Sequence, residues 1–406
     1  MKSLGVPQHI LVIMPTWLGD AVMATPFLRA LRDLYPFGRI TCLGKPLVQP
    51  VLSGLSLIDE AMEYRLTPAG KIDTAGSIAA LRQQNFDLAI ILPNSLRAAI
   101  LAWRAGIPRR LGYNRDGRKL LLTDSINPVP REERQIRLQL QRHTVRKLIR
   151  TGHWPDMGAI LPKVEQFAAW RVKLAGWKNF QPLPTIDYYL ALSRYLGSSQ
   201  TDRRMVLGIT DGERVEAMAA LAQTGLTMES PYMLLFPGAN FGASKCWLPE
   251  RFATVAAAVV ASRRSQDAAV LIGGAVTEQP LIDAIMANLP NSTATRIIPL
   301  YKLNGGSGVR LGAVKELVRR ARLVLCNDTG PRHFAAALGS PLVTLFGPTD
   351  PRWAEIFYNQ EQLLAVGVPC GPCQLKICPI DHRCMIGITP EMVLQAVDRF
   401  WPKDAA

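Results

Sequence analysis

The chain has 406 residues, of which 48% are hydrophobic, and carries 47 Lys and Arg against 32 Asp and Glu for a net charge of +15. This composition excludes a disordered, collagen-like or disulfide-stapled protein. Because the length exceeds what a single hydrophobic core normally covers, we expect two domains.

The N-terminal segments predict a parallel α/β domain. Short apolar runs of strand length alternate with amphipathic stretches of helical period, an order that implies a parallel sheet covered by helices. The predicted elements are, in chain order, strand 10–14, helix 21–34, strand 39–43, strand 87–92 and helix 96–105.

Most of the excess positive charge lies in this first half. Residues 1–200 carry 27 Lys and Arg against 14 Asp and Glu, and residues 101–150 alone carry 13 against 4. The charge predicts attraction to a polyanion or an anionic lipid surface, although a plain solvated basic surface explains it as well. Nucleic acid is not expected as a partner, because the basic run has no interleaved aromatic residues and no recognisable DNA- or RNA-binding motif.

The second half repeats the architecture after a polar segment, 197–204, which is the best linker candidate. Its predicted elements are strand 232–236, helix 249–262, strand 268–272, strand 323–326, helix 331–338 and strand 341–346. The loops that follow the strands are rich in Gly, Asn, Asp and Thr, and in open α/β sheets ligands bind at that edge.

Three candidates for binding or catalytic residues lie on loops of the two halves. Asp328-Thr-Gly330 precedes a helix, so its backbone amides predict an anion site to which Arg332 and His333 add donors; an ordinary Asp helix cap is equally compatible. Lys245 is a second candidate phosphate ligand or simply a solvated lysine. Asp20 is a candidate general base or a helix cap, and spacing alone does not decide between them.

Four of the seven cysteines, Cys370, Cys373, Cys378 and Cys384, lie close together near His382. Their spacing fits no standard zinc ribbon or ferredoxin pattern, so both a metal site and a loop of structural thiols remain open. No apolar window reaches the ~18 residues of a spanning helix and no signal-peptide cleavage site is present, so we expect an unprocessed cytosolic protein with reduced cysteines.

Taken together, the loop motifs resemble those of the ADP-heptose:lipopolysaccharide heptosyltransferases, glycosyltransferase family nine, and within it the heptosyltransferase II branch. The principal motifs are TWLGDAVMATP at 16–26, FPGANFGASKCW at 236–247, NDTGPRH at 327–333 and FGPTD at 346–350. Further matches are LPNSLR at 92–97, IPRRLGY at 107–113 and IDYYLAL at 186–192.

The resemblance implies a GT-B fold, in which two Rossmann-like domains with parallel sheets face each other across a cleft. It divides the chain into an acceptor-binding domain, 1–200, an ADP-sugar-binding domain, 201–388, and a C-terminal helix, 389–406, that crosses back to the first domain. Residues 131–182 depart from the family pattern as a basic insertion with 11 Lys and Arg against 4 Asp and Glu. Its predicted helix 135–150 either docks on anionic lipid or is a solvated helix.

The resemblance also implies an inverting, metal-independent transfer of heptose from ADP-heptose to the inner core on lipid A. Asp20 would deprotonate the acceptor hydroxyl, and Lys245 would assist catalysis at the diphosphate. The implied donor contacts are Asn240, Phe241, Lys245, Glu278, Asp328, Thr329, Gly330 and His333. The implied acceptor contacts are Asn94, Ser95, Arg97, Arg115 and Arg118.

These assignments predict an ADP-sugar and an anionic glycolipid as ligands, no cofactor, and a cytoplasmic protein peripherally associated with the inner membrane. Two alternatives remain open. One keeps the fold but uses another nucleotide sugar or acceptor, since the adenine-reading residues cannot be identified from spacing. The other is a catalytically silent scaffold that binds anionic glycolipid, against which the joint presence of Asp20 and Lys245 argues.

Overall fold

The computed structural model describes residues 6–128, 183–227, 229–262 and 268–403. Within these ranges the chain forms two six-stranded parallel sheets, one from each half of the sequence. The predicted insertion 131–182, with its helix 135–150, lies outside the described residues.

The first sheet has the strand order β3-β2-β1-β4-β5-β6. Its strands are β1 (His9–Ile13), β2 (Arg39–Gly44), β3 (Glu60–Glu63), β4 (Leu88–Ile91), β5 (Arg109–Tyr113) and β6 (Asp124–Ile126). Its helices are α1 (Leu18–Met23), α2 (Thr25–Leu34), α3 (Gln49–Leu52), α4 (Thr74–Arg82), α5 (Leu96–Arg104) and α6 (Thr185–Tyr195). The central strands β1 and β4 are buried almost throughout, as strands covered by helices on both faces must be.

The predicted helix 21–34 is two helices in the structure, because the helix is interrupted at Ala24, between Met23 and Thr25. Pro26 lies in the first turn of α2, where its missing backbone donor costs nothing. Helix α1 begins at Leu18, three residues earlier than predicted, and Asp20 therefore lies in its first turn.

The second sheet has the order β12-β11-β10-β7-β8-β9. Its strands are β7 (Tyr232–Phe236), β8 (Ala269–Ile272), β9 (Ile297–Pro299), β10 (Leu323–Asn327), β11 (Leu342–Phe346) and β12 (Glu361–Ala365). Its helices are α7 (Asp211–Gln223), α8 (Pro249–Ala261), α9 (Gln279–Ala287), α10 (Asn291–Ala294), α11 (Leu311–Arg320), α12 (Gly330–Leu338), α13 (Arg383–Ile386) and α14 (Pro390–Phe400).

The C-terminal helix α14 forms where it is predicted, and the crossover to the first domain remains a prediction. Its neighbours are α8 and the strands β11 and β12. Val393, Ala396 and Val397 are buried in the cluster on the outer face of the second sheet. The apolar stripe of α14 therefore completes the second domain.

The two domains share one hydrophobic cluster, which runs from the inner face of the first sheet to that of the second. At one point of this junction the backbones of Gly54 and Gly208 cross so closely that a β-carbon at Gly208 would lie within 1.9 Å of the Gly54 carbonyl oxygen. Beside it the Lys315 ammonium donates to the Pro50 carbonyl, at 2.8 Å, and pairs with Glu213, at 2.9 Å. Lys315 thereby joins α11 and α7 of the second domain to α3 of the first.

The predicted linker 197–204 lies against the first domain. Asp202 pairs with Arg29 of α2 at 2.9 Å, and the Val206 amide donates to the Thr25 hydroxyl at 3.0 Å. The two-sheet division agrees with two domains, while the boundaries at 200 and 388 remain predictions. Over the described ranges, no helix has the length and apolar character needed to span a membrane.

Candidate active site

Asp20 lies at the junction of the two domains. The loop after β1 carries it into the first turn of α1, at the carboxyl edge of the first sheet. The carboxylate makes no hydrogen bond within the part of the chain that the structure describes, so both oxygens are available to a ligand. Burial raises the pKa of the Asp20 carboxyl to about 6, with the Lys245 ammonium opposing the rise and the Asp328 carboxylate adding to it. Asp20 is therefore ionised at neutral pH yet poised to accept a proton.

Lys245 and Asp328 form a buried ion pair at the edge of the second sheet. The Lys245 Nζ donates to Asp328 Oδ2 at 2.6 Å and to the Asp328 carbonyl at 2.9 Å. The Thr349 hydroxyl donates to the same carboxylate at 2.8 Å. Burial alone would raise the pKa of Asp328, but the Lys245 and Arg332 charges hold it below its usual range. Asp328 thus fixes the lysine at a defined point beside the N-terminus of α12.

The N-terminus of α12 faces α1 across the domain junction. Thr329 is its N-cap residue, and its hydroxyl donates to the Asn327 carbonyl and accepts no hydrogen bond from the helix amides. Pro331 has no amide hydrogen and the Arg332 amide donates to the Thr329 carbonyl at 3.2 Å, so the Gly330 amide is the first-turn donor left open to an anion. A β-carbon at Gly330 would lie 2.9 Å from Leu18 Cδ2, so glycine permits the close approach. The buried His333 ring packs against Gly19, and its Nδ1 has no hydrogen-bond partner among the described residues.

His333 is neutral in this position. Burial, together with the neighbouring Arg332 charge, lowers the pKa of the imidazole to about 3. The ring can therefore donate or accept a hydrogen bond but cannot supply a positive charge to a phosphate. The sequence-based expectation of a donor contact at His333 remains a prediction, restricted to a neutral imidazole.

The remaining predicted donor residues lie on the loops after β7 and β8. Asn240 is exposed, and the Lys245 ammonium lies 5.2 Å above the Phe241 ring. Glu278 accepts a hydrogen bond from the Ala275 amide at 2.8 Å, and burial raises the pKa of its carboxyl. A β-carbon at Gly238 would lie 2.0 Å from the Glu278 carboxyl, so this glycine lets Glu278 reach the edge of β7.

A cavity of about 300 Å³ opens beside Asp20. It is lined by Pro15, Thr16, Trp17, Asp20, Leu92, Pro93, Asn94, Ser95, Arg115, Leu183, Thr185, Tyr188, Tyr189 and Trp353. All of these residues except Trp353 belong to the first half of the chain, and the Thr185 hydroxyl donates to the Trp353 carbonyl at 2.9 Å. The cavity is therefore closed on one side by the second domain.

Three of the five predicted acceptor residues line this cavity: Asn94, Ser95 and Arg115. The Asn94 Oδ1 accepts from the Tyr188 hydroxyl at 2.9 Å and from Arg118 Nη2 at 3.0 Å. Arg115 hydrogen-bonds the Tyr188 hydroxyl. Ser95 caps α5, its hydroxyl accepting from the Ala98 amide.

The other two predicted acceptor residues lie elsewhere. Arg118 is fully buried, and its guanidinium donates to the carbonyls of Tyr113 and Pro93 as well as to Asn94. In this arrangement the Arg118 guanidinium holds Asn94, and a direct contact between Arg118 and the acceptor remains a prediction. Arg97 is exposed on α5, outside the lining of the cavity.

The cysteine segment supports the turn that bears Lys245. His382 Nε2 lies 2.8 Å from the Ser244 carbonyl, and the Ser244 amide donates to the Lys376 carbonyl at 3.1 Å. The four clustered cysteines are free thiols, and within the described ranges no three His, Cys, Asp or Glu side chains are arranged to hold a metal ion. The segment is thus a structural support for the site in this arrangement.

Several residues of the site were not predicted from the sequence. Tyr188 and Tyr189 lie within the motif IDYYLAL but had no assigned role; in the structure the Tyr188 ring stacks on Tyr113 at 3.7 Å and both tyrosines line the cavity. No sequence motif marked Trp353 as a site residue, because its place at the cavity depends on the packing of the second domain. Thr349 belonged to a quoted motif without an assigned role.

Two Rossmann-like domains that meet at the carboxyl edges of their parallel sheets have the architecture of the GT-B class. Comparison with known proteins agrees. Residues 77–150 and 166–383 match the family described as Glycosyltransferase family 9 (heptosyltransferase). The chain belongs to this family and is a glycosyltransferase.

Full-length relatives support the assignment. The chain is 24% identical over 403 residues to lipooligosaccharide heptosyltransferase 2 of Haemophilus influenzae, covering 98% of this chain and 100% of that one. It is 25% identical to lipopolysaccharide heptosyltransferase 2 of Escherichia coli, covering 96% and 98%. The solved structure of E. coli ADP-heptose lps heptosyltransferase II superposes with a TM-score of 0.69 at 23% identity, covering 97% and 98%. The expected GT-B fold is thereby confirmed.

Proposed function

We propose that this glycosyltransferase moves heptose from ADP-heptose to the inner core of lipopolysaccharide, with Asp20 as the general base. The observation that carries the proposal is the position of Asp20, whose carboxylate lies on the cavity and is coupled electrostatically to the Lys245–Asp328 pair of the opposite domain. The names of the full-length relatives supply the sugar and the acceptor class.

In the proposed reaction Asp20 takes the proton of the acceptor hydroxyl as its oxygen attacks the anomeric carbon. The bond from that carbon to the diphosphate breaks on the opposite face, which inverts the configuration and releases ADP. The negative charge that develops on the diphosphate is stabilised by Lys245 and by the Gly330 amide at the start of α12. Fixed donors of this kind need no reorganisation during the reaction, so we propose transfer without a metal.

The acceptor is proposed to occupy the cavity between Asp20, Asn94 and Arg115. The arginine would face the acidic groups of a phosphorylated core, and Arg118 would act only by holding Asn94. Replacing Arg115 by Ala should raise the acceptor KM at least about tenfold with little change in the donor KM. Equal effects on both constants would contradict this placement.

The donor nucleotide is tested by thermal shift with ADP, UDP and GDP. ADP should raise the midpoint of the wild type selectively, because a ligand that binds only the folded state stabilises it. Lys245→Ala should lose the shift, whereas the matched control Lys302→Ala, an exposed lysine, should keep it. Preference for UDP or GDP would favour another nucleotide sugar, and no shift with any nucleotide would favour a silent scaffold.

The activity itself is tested by incubating ADP-heptose with a heptose-deficient lipid A acceptor and following the mass of the product. Transfer by the wild type and its loss in Asp20→Asn are expected. We also propose that the protein works at the cytoplasmic face of the inner membrane, where such an acceptor is anchored, and that the two domains divide at residue 200 as the sequence predicts.

A further inference from the structure

We propose that the exposed face of α5 docks the protein on an anionic lipid bilayer, next to the entrance of the acceptor cavity. The inference rests on the proposed function, since a lipid-anchored acceptor must be met at a membrane surface. It assigns the contact to a particular surface of the first domain, defined by Leu96, Arg97, Ile100, Trp103 and Arg104 and called the α5 face below.

The α5 face is an amphipathic helix surface turned outward. Leu96 and Trp103 are 45% and 50% exposed, and Ile100 between them is partly exposed. The three residues are spaced by four and three positions, so they form one stripe along the helix. The opposite side of α5 is buried against the first sheet through its alanines and Leu101.

Two arginines border this apolar stripe. Arg97 and Arg104 are both exposed and lie seven positions apart, on the same side of the stripe. The sequence of α5, LRAAILAWR, contains no acidic residue. A surface that combines exposed Trp and Leu with exposed arginines complements a bilayer, in which the aromatic ring lies at the headgroup level and the guanidinium groups meet lipid phosphates.

The surface continues on the neighbouring turn Lys119–Leu121, which contacts α5. Leu120 is 94% exposed at the tip of this turn, beside Lys119. Leu120 and Lys119 thus add a further apolar side chain and a further basic one next to the α5 face. Arg104 at the end of α5 and Lys119 in this turn are two of the 13 Lys and Arg of residues 101–150.

The placement of α5 links the surface to the active site. Its N-cap residue Ser95 lines the cavity that holds Asp20, and Trp17, 52% exposed, lines the same cavity. A nine-residue helix is about 13 Å long, so a bilayer lying along α5 would reach the cavity entrance. A lipid-anchored acceptor could then enter the cavity without leaving the membrane.

The test compares the vesicle binding of two double variants of the full-length protein. Trp103→Gln/Arg104→Glu alters the α5 face without touching the cavity. Arg214→Glu/Val215→Gln is the matched control on α7 of the second domain, where Val215 is 67% exposed, and it makes the same change in charge. Binding is measured by co-sedimentation with phosphatidylglycerol and with phosphatidylcholine vesicles, together with the thermal shift on ADP.

The wild type and the control should bind phosphatidylglycerol vesicles preferentially, whereas Trp103→Gln/Arg104→Glu should bind them at least about tenfold more weakly. Its ADP shift and its transfer rate to a soluble, deacylated acceptor should be unchanged. Equal vesicle binding by the two double variants would overturn the proposal, and so would a wild type that does not prefer anionic vesicles at low salt. A missing ADP shift in the wild type would instead count against the proposed donor, and the vesicle comparison would still decide the docking surface.

Discussion

The His333 ring occupies the space that a β-carbon at Gly19 would need, with its Cδ2 and Nε2 2.5 and 2.8 Å from that position. Leu18 approaches Gly330 in the same way from the other side. The N-terminal turns of α1 and α12 therefore pack against each other through one glycine from each domain. This contact places Asp20 beside the Lys245–Asp328 pair, so the geometry of the site depends on it.

Gly19→Ala should separate the two turns and lower both activity and stability. An added methyl group meets the buried His333 ring, and overpacking of this kind typically costs about 1 to 3 kcal/mol. Chemical unfolding and the transfer rate check the prediction. Gly212→Ala is the control, because a β-carbon there meets nothing within 4 Å and it should leave both quantities unchanged or slightly raise stability.

The double variant Gly19→Ala/His333→Ala tests whether the contact with the His333 ring, and not a local change in α1, causes the loss of stability. If the collision is the cause, Gly19→Ala should destabilise the protein much less when His333 is already Ala than in the wild type. Strictly additive losses would contradict the explanation.

Asp20→Asn should abolish transfer while raising the free energy of unfolding at pH 7 by about 2 kcal/mol. The amide cannot accept the proton of the acceptor hydroxyl, yet it avoids the cost of holding a buried carboxylate ionised. Urea unfolding and the transfer assay measure the two effects on one sample. A variant that loses stability together with activity would indicate that Asp20 is a structural ion-pair partner.

The same carboxyl predicts two dependences on pH. The rate at low acceptor concentration should fall as the pH drops below about 6, because the base becomes protonated. The contribution of Asp20 to stability has the opposite direction. Its pKa is higher in the folded than in the unfolded chain, so the stabilisation present at low pH is lost as the pH rises through about 6. Asp20→Asn should lack the pH dependence of stability, and a wild type whose rate is constant between pH 5 and 8 would contradict the assignment.

Lys315→Met should destabilise the protein by about 3 kcal/mol, because it leaves Glu213 and the Pro50 carbonyl without their buried partner. Since Lys315 joins the two domains, the loss should also reduce the cooperativity of unfolding. Denaturant unfolding followed by two probes measures both effects. Lys302→Met, at an exposed position, should change neither, and equal stabilities of the two variants would contradict the role of Lys315.

His382→Ala should weaken ADP binding about fivefold, as expected for the loss of one hydrogen bond to the turn that bears Lys245. Isothermal titration with ADP checks the change. The control Arg383→Ala removes an exposed side chain that pairs with Asp381 and should leave the affinity unchanged. Unchanged ADP affinity in His382→Ala would contradict a supporting role of the cysteine segment in the donor site.

The sequence predicted the central strands of the two sheets well and the edge strands poorly, because the two kinds of strand differ in burial. Strands β1, β7 and β10 are buried on both faces, so their sequences are continuous apolar runs. The edge strand β3, with the sequence EAME, alternates between half-buried and exposed residues and gives no such run. Helix α14 was located from its apolar stripe, but a stripe does not specify which surface covers it, and its packing on α8, β11 and β12 comes from the tertiary structure.

By itself the sequence determined the two α/β halves, the reactive loops at their sheet edges and, through its motifs, the family. Only the tertiary structure decided how those loops meet: Asp20 lies beside Lys245, Arg118 is buried behind Asn94, and Trp353 closes the cavity from the other domain. Local patterns follow from periodicity and turn chemistry within a few residues. The pKa of a carboxyl, the burial of an arginine and the walls of a cavity depend on residues far apart in the chain.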